Sequence, residues 1–354
     1  MQMESLGVKV PFKEAETLRK TLLSVDGIET TLDFMRDENH LIIPLALSEK
    51  ETKKLLSDTL PNVELELGFF KFTKKEIRMK NLFEAASKHI PPNLHEFIPK
   101  AYDLIGDIII VDIAKEVVEF KQQIGEALYS LFSSTKTVYR KASSVSGQLR
   151  IRNLELLAGE EKCEVIHHEH GVTIYVDVCK TYFSPRLGFE HKRIADLVKE
   201  NDIVVDLFTG VGPFPLHIAH KLNAKIYAID INQKAVQCLQ KSLKSNKLKG
   251  TIIPLHGDCR ELSTTLPKAD RIIMNLPSNS IEYIDVVIHV LKPGGIIHFY
   301  NFVQVEEGEE KTVNLLEKEL EKFNWKIKEV INFQKVRDSA PREIHACLDA
   351  RITS

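Results

Sequence analysis

The apolar positions of the chain change their rhythm near residue 195. Before that point, short strand-like runs are interleaved with amphipathic stretches: GVKVPF reads as a strand, KEAETLRKTLLSV as a helix, HLIIPLAL as a second strand and SEKETKKLLSDTL as a second helix. Residues 1–70 are therefore expected to form a small α+β domain. Clustered charge and the loop-like IPPNLHEFIP predict a linker or connecting helix over 71–98. A middle α+β domain is expected over 99–194, from the buried-strand pattern AYDLIGDIIIVDI through the helix EVVEFKQQIGEALYSLF to TVYRKAS and CEVIHHEHGVTIYVDV. From 195 to 354 the runs DIVVDLF, AKIYAID, GTIIPLHG, RIIMNLP and GGIIHFYNF alternate with helical stretches such as NQKAVQCLQKSLKSNK. Near-continuous apolar strands separated by helices imply a mostly parallel sheet covered on both faces, the doubly wound α/β class.

A chain of 354 residues exceeds what one core serves, which agrees with two or three domains. Hydrophobic residues at 43% and charged ones at 28% match soluble globular proteins and favour neither a disordered nor a membrane class. The N-terminus has no apolar stretch after a basic start, and the most apolar run, LIGDIIIVDIA, is interrupted by Asp107 and Asp112, so no targeting or spanning segment is expected. Five scattered cysteines with no CxxC pair argue against a disulfide framework or a zinc site and fit a reducing cytoplasm. His167, His168 and His170 are expected to be exposed or RNA-facing, and no metal is expected. Lys and Arg total 48 against 50 acidic residues, yet Lys136, Arg140, Lys141, Arg150 and Arg152 lie in one acid-free run over 133–152.

In open α/β sheets ligands bind beyond the carboxyl ends of the strands. The first late strand leads into VVDLFTGVGPF, with Asp206, Phe208, Gly210 and Gly212. The second ends in Asp230 and Ile231, where an acid commonly bonds ribose hydroxyls. Asp258 and Cys259 follow the third strand, and Asn275 and Pro277, in NLPSNS, follow the fourth. A dinucleotide fold requires GxGxxG, and Pro215 occupies the third glycine position. An adenosyl ligand fits better, and the joint strand-end pattern resembles class I methyltransferases using S-adenosylmethionine. Pyrimidine C5 methylation needs a cysteine nucleophile, which NLPSNS lacks, and amine methylation typically has an aromatic residue where Ser278 stands. An acceptor within a purine ring remains.

Across most of its length the chain is similar to archaeal and eukaryotic tRNA (guanine-37 N1)-methyltransferases, on the segments RIRNLELLAGE, IHHEHGVTIYVDVCKTYFSPRLGFEHKRI, VVDLFTGVGPF, NLP and SAPREIHACLD. TYFSPRLGFE is the most diagnostic, because the generic methyltransferase fold does not contain it. The resemblance implies S-adenosylmethionine as cofactor and tRNA as partner, the first domain gripping the elbow and the others the anticodon loop. It also implies Glu190 as the base that removes the guanine N1 proton, Arg152 as the guanidinium that stabilises charge on O6, Asn275 as the contact orienting the base, and Pro277 as a shaper of the donor pocket. Lys136, Arg140, Lys141, Arg150, Tyr182, Arg186, His191 and Arg193 are the expected RNA contacts. Two positions depart from the family pattern, His191 for an arginine and Asn153 for a glutamate. The resemblance also admits methylation of carbon 7 of a wyosine precursor as an added activity; aminocarboxypropyl transfer from the same cofactor and tRNA binding without catalysis are the rival readings, and a dehydrogenase ranks last. Monomeric action, with no obligate protein partner, is expected.

Overall fold

The structure, a computed structural model, describes residues 2–74, 81–143, 151 and 153–354. The calls for Arg150 and Arg152 lie outside the described residues. Two compact units result, Met1–Met79 and Lys80–Ser354.

The first unit runs β1 (Gln2–Pro11), α1 (Phe12–Ser24), β2 (Met35–Arg36), β3 (His40–Pro44), α2 (Glu49–Thr59) and β4 (Glu66–Thr73). Its sheet has the order β2-β3-β1-β4 and is antiparallel throughout. Helix α1 buries Ala15, Leu18 and Leu22, one stripe at helical spacing, in a core with Val8, Val10 and Ile43. Helix α2 opens on a capping box between Ser48 and Glu51. Strand β4 carries the first unit past residue 70, where a linker was expected to begin; aromatic residues at 69, 70 and 72 give this charged stretch enough apolar surface to pair with β1, and Phe72 is fully buried.

The second unit starts with packed turns. Asn81 caps α3 (Leu82–Ala86) by accepting from Glu84 N–H, and Leu82, Ala86, Ile90 and Ile98 are buried, so 82–98 is part of a core and not a free linker. AYDLIGDIIIVDI is a hairpin, β5 (Tyr102–Ile105) and β6 (Ile108–Val111). Helix α4 (Lys121–Leu131) crosses to β7 (Thr137–Lys141), which pairs with β8 (Leu154–Gly159). A separate hairpin, β9 (Glu164–Glu169) with β10 (Val172–Asp177), turns at His170 and Gly171, both at positive φ as two-residue hairpin turns require. Its open end is closed by a Cys163–Cys179 disulfide, contrary to the cysteine expectation. The ladder that pairs Glu164 with Asp177 brings these flanking residues to a Cα–Cα distance of 5.5 Å. A reducing compartment thus finds no support from these two cysteines.

Then come α5 (Gly188–Leu197), β11 (Ile203–Asp206), α6 (Pro213–Lys221), β12 (Lys225–Asp230), α7 (Gln233–Ser245), β13 (Thr251–His256), α8 (Cys259–Leu262), β14 (Ala269–Met274), α9 (Ile284–Val290), β15 (Leu291–Gln304), α10 (Gly308–Glu321), β16 (Lys326–Ala340) and β17 (Glu343–Thr353). The sheet order is β13-β12-β11-β14-β15-β17-β16, parallel except for the last two strands. Strand order reverses between β11 and β14, which opens a crevice at their carboxyl ends. In place of a break at residue 194, one apolar core joins Ile105, Val165 and Val176 to Val204, Ile218 and Cys347. Among the described residues no helix is long and apolar enough to cross a membrane.

Cys238, Cys259 and Cys347 are free and buried. Alkylation in denaturant without reductant should therefore label three thiols, and five after reduction. Closing a loop of this length contributes about 3 kcal/mol, so the Cys163→Ser/Cys179→Ser variant should melt several degrees lower. Five labels without reductant would remove the disulfide.

Candidate active site

A cavity of about 480 Å³ occupies the crevice, walled by the segment Tyr182–Leu187 and the loops after β11, β12, β13 and β14. Of the residues expected to hold a cofactor, Phe208, Gly210, Asp230, Ile231, Asp258, Cys259, Asn275 and Pro277 line it. Asp230 accepts from Gly210 N–H at 2.6 Å and Asn232 N–H at 2.8 Å, which fastens the glycine turn to the neighbouring strand end. Burial raises its pKa, opposed by those two hydrogen bonds. Asp258 caps α8 by accepting from Arg260 N–H, a helix-cap role compatible with facing the cavity. The Asn275-Leu276-Pro277 turn is held by Ser280, whose hydroxyl donates to Met274 O at 2.6 Å.

Two expected cofactor contacts sit behind the wall instead. Asp206 is fully buried, accepts from Phe208 N–H at 3.3 Å and has the Thr209 side chain beside it; burial pushes its carboxyl up to about 7, against both contacts. Gly212 starts α6 at φ 82°, where an added Cβ would lie 2.3 Å from Leu239 Cδ1, so this glycine shapes the turn rather than the wall. Gly210 differs: the nearest atom to an added Cβ is Tyr182 O at 3.7 Å, leaving its backbone open to a ligand. Burial also pushes the Cys259 thiol up to about 12, which makes it inert.

The cavity suits an adenosyl group on its own chemistry. Phe208 meets Tyr283 edge to face at 4.8 Å, Arg260 caps the Tyr283 ring at 4.1 Å, and both rings line the cavity as an apolar wall against which a purine can pack. Asp230 and Asp258 place acceptors beside that wall for hydroxyl and amino donors.

Glu190 is placed differently from expectation. It is 3% exposed and does not line the cavity; Arg193 grips both carboxylate oxygens at 2.7 and 2.8 Å, and Tyr300 Oη donates to one at 2.6 Å. Arg193, expected on RNA, is an internal clamp, since it also reaches Asp349 at 2.5 Å. Burial opposes its charge, but the two carboxylates outweigh burial and raise its pKa. Asp349 takes a further hydrogen bond from His298 at 2.6 Å and its pKa is held far below the usual range. The register explains this grouping: His298 pairs with Asp349 and Tyr300 with Cys347 on β15 and β17, so these side chains share one face, under α5.

His191 is also corrected. It is 1% exposed and bonded to Glu169 at 2.7 Å, so it faces the cavity from below rather than solvent. Tyr182 lines the cavity. Arg186 and Lys141 pair with Asp103 and line an adjoining cavity of about 90 Å³. Arg140 is bound to Glu155, and Lys136 lies 4.0 Å from Asp107; neither lines a cavity described here. Arg337, which the sequence reading missed, lines both cavities from β16. Its signal was a cationic residue two positions before SAPREIHACLD, and only the pairing of β16 with β17 shows where it points.

Residues 165–328 match the model of the TRM5/TYW2 methyltransferase domain, 82–162 that of the TYW2 N-terminal domain, and 7–53 that of the tRNA methyltransferase 5 N-terminal domain. A tRNA (guanine(37)-N(1))-methyltransferase Trm5b of Methanocaldococcus jannaschii is 38% identical, with 98% of each chain covered. Among solved structures, the complex of aTrm5 and tRNALeu matches at 36% identity with a TM-score of 0.81, covering 98% of this chain and 99% of that one. M. jannaschii TYW2 in complex with AdoMet matches at 27% identity with a TM-score of 0.56, covering 72% of this chain and 99% of that one. Similarity at this level over the full length, together with a strand-end cavity of this shape, means that the chain belongs to the tRNA (guanine-37 N1)-methyltransferase family bearing the TRM5/TYW2 methyltransferase domain.

Proposed function

We propose that this protein transfers a methyl group from S-adenosylmethionine to N1 of guanine 37 in tRNA. The observation that carries this is the cavity at the strand ends, with Asp230, Asp258 and the aromatic wall on one side and the Asn275–Pro277 turn on the other, in a chain that aligns end to end with a guanine-37 enzyme. The TYW2 N-terminal match over 82–162 keeps aminocarboxypropyl transfer as the second reading. That the first unit carries the tRNA methyltransferase 5 N-terminal pattern favours methyl transfer. The cytoplasm and monomeric action belong to the same proposal.

Bound S-adenosylmethionine supplies an electrophilic methyl group. Asp230 would take its ribose hydroxyls, Asp258 the adenine amino group, and Phe208, Gly210, Ile231, Cys259 and Pro277 the remaining surface. Asn275 would orient the guanine edge. Guanine N1 must lose a proton before its lone pair can attack, and Glu190 is proposed to accept it. Because Arg193 and Tyr300 occupy its oxygens, docking of the base must draw the carboxylate toward the cavity; Arg193 keeps Asp349 as a partner when that happens, so no buried charge is stranded. Arg152 would stabilise charge on O6. Arg150, Arg186, Lys136, Arg140 and Lys141 would meet phosphates.

The direct test is to incubate the protein with labelled S-adenosylmethionine and unmodified tRNA and to identify the nucleoside by mass spectrometry. N1-methylguanosine at position 37 is expected; transfer of an aminocarboxypropyl group, or methylation only of a wyosine precursor, would replace this reading. Asp230→Ala should raise the Kd for S-adenosylmethionine about tenfold or more by calorimetry, whereas an unchanged Kd would remove the ribose role. Glu190→Gln should lower turnover by roughly 10² to 10⁴ with cofactor affinity nearly unchanged. Wild-type turnover together with a lower Tm would instead make Glu190 a structural anchor.

A further inference from the structure

Beneath the cavity wall, Glu169 from β9, His191 from α5 and His217 from α6 meet in a closed cluster, at 8%, 1% and 5% exposure. One donor atom from each lies within 4.8 Å of the others. Glu169 Oε1 is 2.7 Å from His191 Nδ1 and 3.3 Å from His217 Nε2. Glu169 Oε2 and His217 Nε2 are buried with no hydrogen-bond partner among the described residues. Room for the carboxylate comes from Gly188, where an added Cβ would stand 3.0 Å from Glu169 Cδ.

The tautomer of His217 follows from its surroundings. Nδ1 lies 2.8 Å from Pro213 O, and a carbonyl only accepts, so Nδ1 carries the proton. Burial of the ring disfavours a second proton on it. Nε2 then turns a lone pair toward a carboxylate oxygen, also electron-rich, across 3.3 Å. Two lone pairs in a buried site repel unless a cation lies between them. His167 is an outer partner: its Nδ1 accepts from Gly106 N–H, so its protonated Nε2 points at Glu169 Oε2 from 3.8 Å.

We propose that Glu169, His191 and His217 bind one divalent transition-metal ion, of the zinc class, which braces the cavity wall. Two imidazoles and a carboxylate are a common donor set for zinc, and tetrahedral coordination at the usual bond lengths separates ligand atoms by roughly 3.3 Å. The Glu169–His217 spacing already matches, and the Glu169–His191 pair needs about half an ångström of opening. The backbone bond from His217 Nδ1 and the His167 contact to the carboxylate are the outer interactions that orient such ligands. Because the site ties β9, the start of α5 and the start of α6, and His191 itself lines the cavity, the ion would act on the shape of the wall and not on the reacting atoms. The proposal does not depend on which group the enzyme transfers.

Chelator-treated full-length protein, with the Cys163–Cys179 bond intact, is titrated with Co²⁺ and followed by visible absorption. One equivalent should give tetrahedral ligand-field bands without thiolate charge transfer, Zn²⁺ should displace it, and saturating Zn²⁺ should raise Tm by several degrees. His217→Gln and Glu169→Gln should each lower affinity at least a hundredfold, while His168→Gln, on the exposed face of the hairpin, should bind as wild type. His191→Arg, which supplies the positive charge covalently, should lose the bands yet melt at least as high as the metal-free protein, so that loss of binding is separable from loss of fold. Absence of the bands in folded wild-type protein, or equal binding by His217→Gln, would overturn the site.

Discussion

A guanidinium inside a protein must be neutralised where it stands, and Arg193 is the point on which the second unit depends. Its partners come from different parts of the chain: Glu190 one turn away on α5, and Asp349 on a strand more than 150 residues later. Removing Arg193 would leave two buried carboxylates without their shared cation, at a cost of about 3–5 kcal/mol. The clamp therefore fixes the rotation and height of α5 on the face of β15 and β17. With α5 so fixed, Leu187 and His191 face the cavity and Gly188 faces the Glu169 carboxylate. One ion-pair node thereby positions the linking segment that distinguishes this family from the generic fold.

The cavity beyond the strands is built by a different device. Asp230 crosses from β12 to hold Gly210 N–H, and Asp206 holds its own turn through Phe208 N–H. Both acids suffer from burial, and the fully buried Asp206 the more. A carboxyl pushed up to about 7 weakens the fold as pH rises through that value, because the folded state then holds an unfavourable charge. Its retention at the β11 end makes sense only if the turn geometry it secures matters more than the stability it forfeits. The acids thus serve two ranks: Asp230 and Asp258 face a ligand, and Asp206 shapes the loop behind them.

How much of this was legible in the sequence varies by the range of the interaction. Strand ends in the parallel half were readable because each acid or glycine follows its own apolar run, and chain order alone puts it at the crevice. Strands β16 and β17 escaped that reading: β16 is largely exposed and polar at the sheet edge, so no apolar period marks it. With it went Arg337, whose two cavities appear only once the edge strand is paired. His298, Tyr300 and Asp349 were visible as polar residues in apolar strands, an informative anomaly, but their grouping depends on antiparallel register. The disulfide was missed for the same reason, since spacing says nothing until the hairpin ladder sets residues 163 and 179 side by side. Glu190 is the instructive case: the i,i+3 arginine and a tyrosine 110 residues away decide where its carboxylate points, and the tyrosine contact cannot be seen in the local sequence.

Orphaned polar atoms give the last step. Folded chains satisfy nearly all their buried donors and acceptors, so exceptions mark strain, a ligand or a catalytic demand. Two of them meet between β9 and α6, in the cluster beneath the cavity: Glu169 Oε2 and His217 Nε2, without a partner among the described residues. Both are acceptors with no proton to offer, once the His217 tautomer is fixed by Pro213 O. Packing alone gives no reason for acceptors to gather in this way, because each would be better satisfied by a hydroxyl or amide neighbour. A region that concentrates buried lone pairs is one that waits for positive charge or for donors from outside the chain, and here that region is the wall between the hairpin and the strand-end crevice.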